Sequence, residues 1–459
     1  MASNELTVIL DGRPIGTLER LARGELRLRY LDRYRDDPAA TLLSVSMPPS
    51  QRMHGESAVT PWLRGLLPDN SDVLARWGRD FGVSVATPFG LLGTPVGHDC
   101  AGAVQFCRPG EVTDLVDRPG DVTWLTEADV AARLRTLRTD STSWLGPGFA
   151  GQFSLGGAQA KTALRAAATD TDGGERWGVP TGSVPTTHIL KPAMAGYEAQ
   201  HINEHLCLAA ANDLGLRAAI TRIETFEDES AIVVERFDRT TRGGALVRVH
   251  QEDLCQALSV PPANKYQSDG GPTPGQIAEL IRSTIPAPEA EIDVWRFVEA
   301  LAFNWLVAGT DAHAKNYSLL LAGAQVRLAP LYDIASILPY DDSGGHRIKL
   351  AMKVGDDYKL HRTDRRGAWE HAADELKLDR SFVTRVDQDR ELEREIIDAC
   401  HRVIRPFAIE ADRTGAYPRE SIDELGRLRL LAMIAPEEYG CRAASHVSVL
   451  MATEAIARY

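Results

Sequence analysis

The polar residues best suited to chemistry lie in one short loop, TDAHAKN at 310–316, and beyond it at Asp333. In phosphoryl transfer, one carboxylate must orient and deprotonate the attacking hydroxyl, while amide and carboxylate oxygens hold Mg²⁺. We therefore predict that Asp311 is the catalytic base and that Asn316 and Asp333 hold the metal. Alternatively, Asp311 caps a turn and Asp333 caps the following helix, but four polar groups on one loop favour the catalytic interpretation.

A second candidate element is a glycine-containing hairpin, SLGGAQAKT at 154–162. Adjacent glycines allow backbone N–H groups to approach a phosphate closely. The segment is not a Walker A loop, because Ala160 precedes Lys161 and the required spacing of glycines is absent. A glycine-rich hairpin is by itself more often an ordinary turn, so its meaning depends on the motifs around it.

Lysine is scarce in this chain, and its positions are informative. Only eight of the 51 Lys and Arg residues are lysines, and three of them, Lys161, Lys191 and Lys315, fall in candidate motifs. Lys is a compact charge that suits a phosphate oxygen. Lys191 lies at the end of a strand in THILKP, with Glu204 on the next helix as its candidate ion-pair partner; the alternative is an ordinary surface lysine. Backbone groups of Val233–Phe237 could bind an adenine edge.

The hydrophobic pattern predicts the elements that must position these residues. Apolar residues from Ile292 to Trp305 repeat with a helical period of about 3.6, and Gly309 ends that helix just before the polar loop. A β-hairpin over 317–331 then leads to Asp333. The other predicted elements are strands at 153–155, 162–167, 187–191 and 232–235 and a helix over 198–214.

Composition restricts the class of protein. The chain of 459 residues is 44% hydrophobic and 25% charged, as expected for a globular protein of about three domains, and its net charge of −13 argues against broad coating of nucleic acid. No apolar run reaches the roughly 20 residues of a membrane helix, and the N-terminus lacks the pattern of a signal peptide. The six cysteines form no zinc pattern, so free thiols in a reducing cytoplasm are expected.

Taken together, the motifs resemble one protein family. SLGGAQAKT, THILKP, VVERFDR, HQEDLCQAL followed by DGGP, TDAHAKN and LAPLYDI occur in this order in the HipA family of toxin Ser/Thr kinases, and LLPDN at 66–70 is also HipA-like. The resemblance covers about residues 5–385. It implies an α+β, atypical protein-kinase-like fold with an N-terminal α+β module and a mainly helical C-terminal lobe. The expected divisions are an N-terminal module (1–108), a linker and start of the kinase region (109–139) and a kinase domain (140–390).

The resemblance also implies roles for individual residues. Ser154 corresponds to the autophosphorylation serine of the family, and Asp311 to the catalytic base. Asn316 and Asp333 correspond to the magnesium ligands. Ala160 replaces the Glu of the familiar GAQEKT form, which removes a carboxylate beside the phosphates. The residues expected to contact ATP are Gly156, Gly157, Ala158, Gln159, Ala160, Lys161, Lys191, Glu235, Arg236, Phe237, His313, Ala314, Lys315, Asn316 and Asp333.

The implied function is that of an ATP- and Mg²⁺-dependent serine/threonine protein kinase, the toxin of a type II toxin–antitoxin module. The implied substrate is a translation component such as an aminoacyl-tRNA synthetase. The implied partner is a small helix-turn-helix antitoxin of the HipB type, through which the protein would reach operator DNA in the cytoplasm, with no membrane involved. The alternative is a catalytically weak binding module that acts as a corepressor with the antitoxin.

The C-terminal segment departs from this pattern. Residues 391–459 resemble the opening helices of acyl-CoA dehydrogenases, but they lack the rest of that fold, including its flavin site and catalytic carboxylate. Dehydrogenase activity is therefore not inferred. A flavoprotein fragment is a third interpretation, and it rests on this segment alone. The segment could replace helices that normally complete the C-terminal lobe of the kinase.

Overall fold

The computed structural model describes residues 4–146, 152–168, 174–194, 196–343, 346–363 and 366–378, together with positions 402 and 427. The helical segment predicted at 391–459 lies outside these ranges apart from those two positions. Among the described helices, none is long and apolar enough to cross a membrane.

The N-terminal part of the chain is built on a five-stranded antiparallel sheet. Its strands are Glu5–Leu10 (β1), Arg13–Arg20 (β2), Leu26–Tyr30 (β3), Met53–His54 (β4) and Gln105–Cys107 (β5), in the order β4-β3-β2-β1-β5. Asp11 and Gly12 both adopt positive φ, as the turn between β1 and β2 requires. The helices are Asp32–Arg35 (α1), Glu56–Gly65 (α2), Ser71–Asp80 (α3), Pro88–Leu92 (α4) and Val112–Val116 (α5).

A six-stranded antiparallel sheet follows, and the segment 154–162 leads into it. The strand predicted at 153–155 does not form, because Ser154 makes only an isolated parallel bridge with Cys100. The segment, called the glycine hairpin below, is therefore a loop and not a paired β-hairpin.

The strands of the sheet are Val122–Trp124 (β6), Thr162–Ala168 (β7), Glu175–Pro180 (β8), His188–Pro192 (β9), Thr221–Phe226 (β10) and Glu229–Glu235 (β11), in the order β10-β11-β9-β7-β8-β6. The helices are Glu127–Thr139 (α6) and Gln200–Asp213 (α7). Leu134 of α6 packs in one cluster with Leu164 and Leu190 of the sheet. The sheet therefore begins inside the segment 109–139, which was expected to contain a linker and the start of the kinase region.

The rest of the described chain combines helices with short strands. The helices are Leu254–Ala257 (α8), Pro274–Thr284 (α9), Glu289–Leu306 (α10) and Arg366–Glu375 (α11). The strands are Arg239–Arg242 (β12), Ala245–Arg248 (β13), His250–Asp253 (β14), Ser318–Ala322 (β15), Gln325–Leu328 (β16), Lys349–Val354 (β17) and Asp357–Lys359 (β18). The hairpin predicted after the polar loop is β15–β16. The buried face of α10 includes Val294, Phe297 and Val298, whereas Ile292, predicted on that face, is exposed.

One hydrophobic core joins the N-terminal part to the sheet that follows the glycine hairpin. Trp144, Phe153, Leu155 and Ala163 belong to the same buried cluster as Trp62 of α2. Because residues from both sides share this buried cluster, the N-terminal part and the sheet are packed against each other.

A buried ion network forms a second connection between the two parts. The carboxylate of Asp99, which is fully buried, accepts hydrogen bonds from Arg239 at 2.9 Å, from Arg248 at 3.0 Å and from Thr186 at 2.7 Å. Burial alone would raise the pKa of Asp99, but the surrounding arginines outweigh it and the pKa is lowered. The network therefore holds the segment after β11 against the N-terminal part.

Candidate active site

A cavity of about 510 Å³ is lined by the glycine hairpin, the end of β11, the polar loop after α10 and residues from the N-terminal part. These segments lie far apart in the sequence, and the fold brings them together. The predicted site residues that line the cavity are Gly156, Gly157, Ala158, Gln159, Lys161, Lys191, Glu235, Arg236, Phe237, Asp311, His313, Lys315, Asn316 and Asp333.

The polar loop after α10 is held in shape by its own hydrogen bonds. Gly309 is required where the loop begins, because a Cβ there would lie 2.3 Å from Asn304 Oδ1. Asn316 Nδ2 donates to the carbonyl oxygen of Asp311 at 2.6 Å. Since this bond uses the amide nitrogen, the side-chain oxygen of Asn316 remains available as a ligand.

Asp311 lies at the cavity mouth, with 62% of its side chain exposed. The Tyr266 hydroxyl donates to its carboxylate, and His313 Nε2 lies 3.7 Å from Oδ1. Partial burial raises the pKa of Asp311, although the bond from Tyr266 opposes the rise. Burial lowers the pKa of His313 to about 3, so this imidazole is neutral, and its buried Nδ1 has no partner among the described groups. Asp311 is thus an accessible carboxylate that can accept a proton from a hydroxyl.

Lys191 joins two carboxylates at the back of the cavity. Its Nζ lies 2.7 Å from Glu204 Oε1, so the expected ion pair is present, and 2.6 Å from Asp333 Oδ1. Burial alone would raise the pKa of Asp333, but Lys191 and Lys161 hold it well below its usual range. No described helix begins at Asp333, which adopts φ of +58° and is followed first by the 3-10 turn Leu338–Tyr340. Asp333 is therefore an ionised group facing the cavity and not a helix cap.

The glycine hairpin packs directly on the end of α2. A Cβ on Gly156 would lie 2.9 Å from the carbonyl oxygen of Gly65, so this approach requires a glycine. Lys161 Nζ donates to the carbonyl oxygen of Gly156 at 2.7 Å, and burial together with the nearby Lys191 lowers the pKa of Lys161 to about 8. Gln159 Nε2 is a buried donor without a described partner. These cations and the unpaired donor suit a group with several anionic oxygens.

The chain after β11 supplies a candidate adenine edge. The backbone N–H of Phe237 donates to no group in the described part of the chain, and its ring lies 5.5 Å from that of Tyr332. Arg236 also lines the cavity, but its guanidinium is bonded to Asp238 at 2.8 Å and to Thr186 at 2.8 Å. We therefore do not expect the guanidinium of Arg236 to reach a nucleotide.

Three residues of the predicted set do not line the cavity. Ala160 packs against the core shared with the N-terminal part, and Ala314 is buried in the core of the C-terminal part. Ser154 is fully buried beside the hairpin, where its Oγ donates to the carbonyl oxygen of Leu66 at 2.7 Å. In this arrangement the Ser154 hydroxyl is not accessible from the cavity.

Asp69 and Lys265 are among the cavity residues that were not assigned from the sequence. Asp69 Oδ1 lies 2.5 Å from Lys315 Nζ, and its Oδ2 lies 2.9 Å from Lys265 Nζ. The motif LLPDN contains Asp69, whereas Lys265 lies in none of the candidate motifs. The motif did not indicate the contact, because 246 residues separate Asp69 from Lys315.

Family models match most of the chain. A model described as the HipA N-terminal domain matches residues 6–107, and one described as the HipA-like C-terminal domain matches residues 153–405, more than half of the chain. A third, the N-terminal domain of acyl-CoA dehydrogenase, matches residues 387–459. The two sequence resemblances are therefore confirmed, and they overlap at 387–405.

Individual relatives agree with this assignment. Y4mE of Sinorhizobium fredii, which is named as a kinase, is 35% identical over 394 residues, covering 84% of this chain and 89% of the relative. The serine/threonine-protein kinase toxin HipA of Shewanella oneidensis is 28% identical over 325 residues, covering 65% of this chain and 67% of the relative. A solved structure of Shewanella oneidensis HipA with HipB and operator DNA has a TM-score of 0.69 at 23% identity, covers 99% of this chain and 96% of that chain, and confirms the predicted fold. The chain belongs to the HipA family.

Proposed function

We propose that this protein is an ATP- and Mg²⁺-dependent serine/threonine protein kinase. The observation that carries the proposal is the convergence of Asp311, Asn316, Asp333 and Lys191 on one cavity, together with the glycine hairpin. This set contains a base, oxygen donors for a metal and cations for phosphate, which are the parts that phosphoryl transfer requires. The kinase names of the relatives support the same activity.

The oxygens of Asn316 and Asp333 fit Mg²⁺. No cluster of three or more His, Cys, Asp or Glu in the described ranges could hold a metal. Mg²⁺ does not need such a cluster, because it commonly binds one or two protein carboxylates and completes its shell with phosphates and water. When bound, it would neutralise negative charge on the phosphates.

The protein groups around the nucleotide have roles that follow from their surroundings. The N–H of Phe237 would donate to the adenine edge, while Lys161 and Lys191 would contact phosphate oxygens. Asp311 would orient the substrate hydroxyl and take its proton as the hydroxyl oxygen bonds to the terminal phosphorus and the bond to the leaving ADP breaks. The neutral His313 beside Asp311 would leave that carboxylate free to accept the proton.

We infer that Ser154 is an autophosphorylation site that inactivates the enzyme. A phosphate there would add about −1.5 to −2 charges. Ser154 is fully buried and its hydroxyl donates to the carbonyl oxygen of Leu66, so the hairpin would have to leave its present position to take up a phosphate. ATP phosphates would then lose Lys161 and the hairpin N–H groups.

The biological role follows by analogy with the relatives. The Shewanella protein is named a toxin, and its structure contains HipB and operator DNA. We propose that the present protein is likewise the toxin of a type II module in the cytoplasm, with a helix-turn-helix antitoxin as partner and contact with operator DNA made mainly through it. The net charge of −13 fits such indirect contact. The proposed substrate is a translation component such as an aminoacyl-tRNA synthetase, and phosphoproteomics after brief induction would identify it.

The kinase proposal is tested with purified full-length protein, Mg-ATP and mass spectrometry. The wild type should gain one phosphate at Ser154, whereas Asp311→Asn should gain none and still bind ATP, because affinity comes from the hairpin, the lysines and the metal. Asp72→Asn, an exposed change in α3, is the matched control. Near-normal transfer by Asp311→Asn would contradict the role of this residue. A wild type that transfers no phosphate but binds the antitoxin would favour the corepressor alternative.

A further inference from the structure

Asp69, in the turn between α2 and α3, reaches both sides of the cavity. Its backbone N–H donates to the carbonyl oxygen of Gly157 in the glycine hairpin at 3.0 Å. Its carboxylate bridges Lys315 of the polar loop at 2.5 Å and Lys265 at 2.9 Å. One residue of the N-terminal part thus connects the hairpin to the loop that carries Asp311.

The bridge lies inside the protein. The side chain of Asp69 is 13% exposed and that of Lys315 is 4% exposed, so solvent screens this pair weakly. Burial alone would raise the pKa of Asp69, but Lys315 and Lys265 outweigh it and the pKa is lowered, which keeps the carboxylate ionised. Without that charge, two ammonium groups would face each other across the site.

The hairpin depends on the same segment of the N-terminal part at two further points. Gly156 packs against the carbonyl oxygen of Gly65, where even a Cβ would lie at 2.9 Å, and Ser154 donates to the carbonyl oxygen of Leu66. The same Cβ position on Gly156 lies 3.3 Å from Lys315 Nζ. Lys315 is therefore held directly against the hairpin, on the side where Asp69 anchors it.

We propose that Asp69 is a positioning residue that fixes Lys315 and the glycine hairpin relative to each other, so that the N-terminal part completes the phosphate-binding wall of the site. This inference rests on the proposed kinase function. It adds that Asp69 acts through Lys315 and the hairpin and does not itself contact the nucleotide.

The hairpin is tested first, without nucleotide, by hydrogen exchange of the peptide covering 152–162 in the full chain. Asp69→Asn should speed its exchange by roughly tenfold, the size expected for loss of a charge-assisted hydrogen bond. Asp69→Glu should restore part of the protection, and Asp72→Asn should exchange like the wild type. Unchanged hairpin exchange in a folded Asp69→Asn variant would overturn the inference.

A double-mutant cycle then asks whether Asp69 acts through Lys315. In the double variant Asp69→Asn with Lys315→Met, the hairpin peptide should exchange no faster than in the faster single variant. An exchange rate that rises by the product of the two single effects would refute coupling through this pair. If Asp69→Asn does not fold, Lys315→Met alone must still loosen the hairpin, and a protected hairpin in that variant would refute the idea.

Nucleotide affinity is measured separately, in the Asp311→Asn background, so that autophosphorylation does not interfere. Asp69→Asn should weaken ATP binding by roughly tenfold, because it also loses one charge-assisted hydrogen bond that holds the site in shape. Asp72→Asn should leave the affinity for ATP unchanged. Unchanged affinity in Asp69→Asn would overturn the inference. If the parent chain binds no ATP at all, the kinase proposal fails, whereas the exchange experiment still decides whether Asp69 holds the hairpin.

Discussion

The buried charge of Lys161 should destabilise the folded protein, although we propose that the same charge binds the phosphates of ATP. Burial lowers its pKa from 10.5 to about 8, and at about 1.36 kcal/mol per pKa unit this corresponds to about 3 kcal/mol of unfavourable free energy below pH 8. Lys161→Met removes that cost but also removes the hydrogen bond to Gly156, worth about 1 kcal/mol. We therefore expect the variant to be about 2 kcal/mol more stable at pH 7 and to bind ATP far more weakly.

The pH dependence provides the sharper test. Between pH 8 and about 10.5 the unfolded chain holds the Lys161 proton and the folded chain has released it, so this residue makes the wild type gain stability as pH rises. Urea unfolding of both proteins from pH 7 to 10 should show the stability difference shrinking with pH. A variant less stable than the wild type at pH 7, or a difference independent of pH, would refute the reasoning.

Three further changes have defined outcomes. Asp333→Ala should abolish Mg²⁺-dependent ATP binding as well as activity, because it removes an ionised carboxylate that we propose as a metal ligand; an unchanged Mg²⁺ requirement in a binding titration would mean that Asp333 serves only to pair with Lys191. Asp99→Ala should cost about 3–5 kcal/mol in urea unfolding, because it leaves buried arginines without their carboxylate, whereas the exposed change Asp117→Ala should cost little. Tyr266→Phe removes a donor that lowers the pKa of Asp311, so the acid limb of the pH–rate profile should move to higher pH, and an unmoved limb would contradict this contact.

Features set by residues close together in the sequence were predictable. The pairing of Lys191 with Glu204 was predictable because a strand leads directly into the helix that carries the glutamate, and the polar loop followed from the end of a strongly periodic helix. The resemblance placed Arg236 among the ATP contacts, and nothing in the sequence indicated that its guanidinium contacts Asp99, which lies 137 residues away. Asp69 was missed for the same reason, since only the folded chain brings the turn after α2 to the polar loop.

The shared core around Trp144 and Phe153 has a consequence for how this protein can evolve. Although separate family models match residues 6–107 and 153–405, the two regions share buried side chains, so we expect exchange of one region between relatives to lower the stability of the fold. The N-terminal part of a relative would present different side chains to Trp144, Phe153 and Leu155. Each difference in side-chain volume would leave a cavity or a steric overlap in the core beside the hairpin. We therefore expect changes of side-chain volume on one side of this core to be matched by opposite changes on the other.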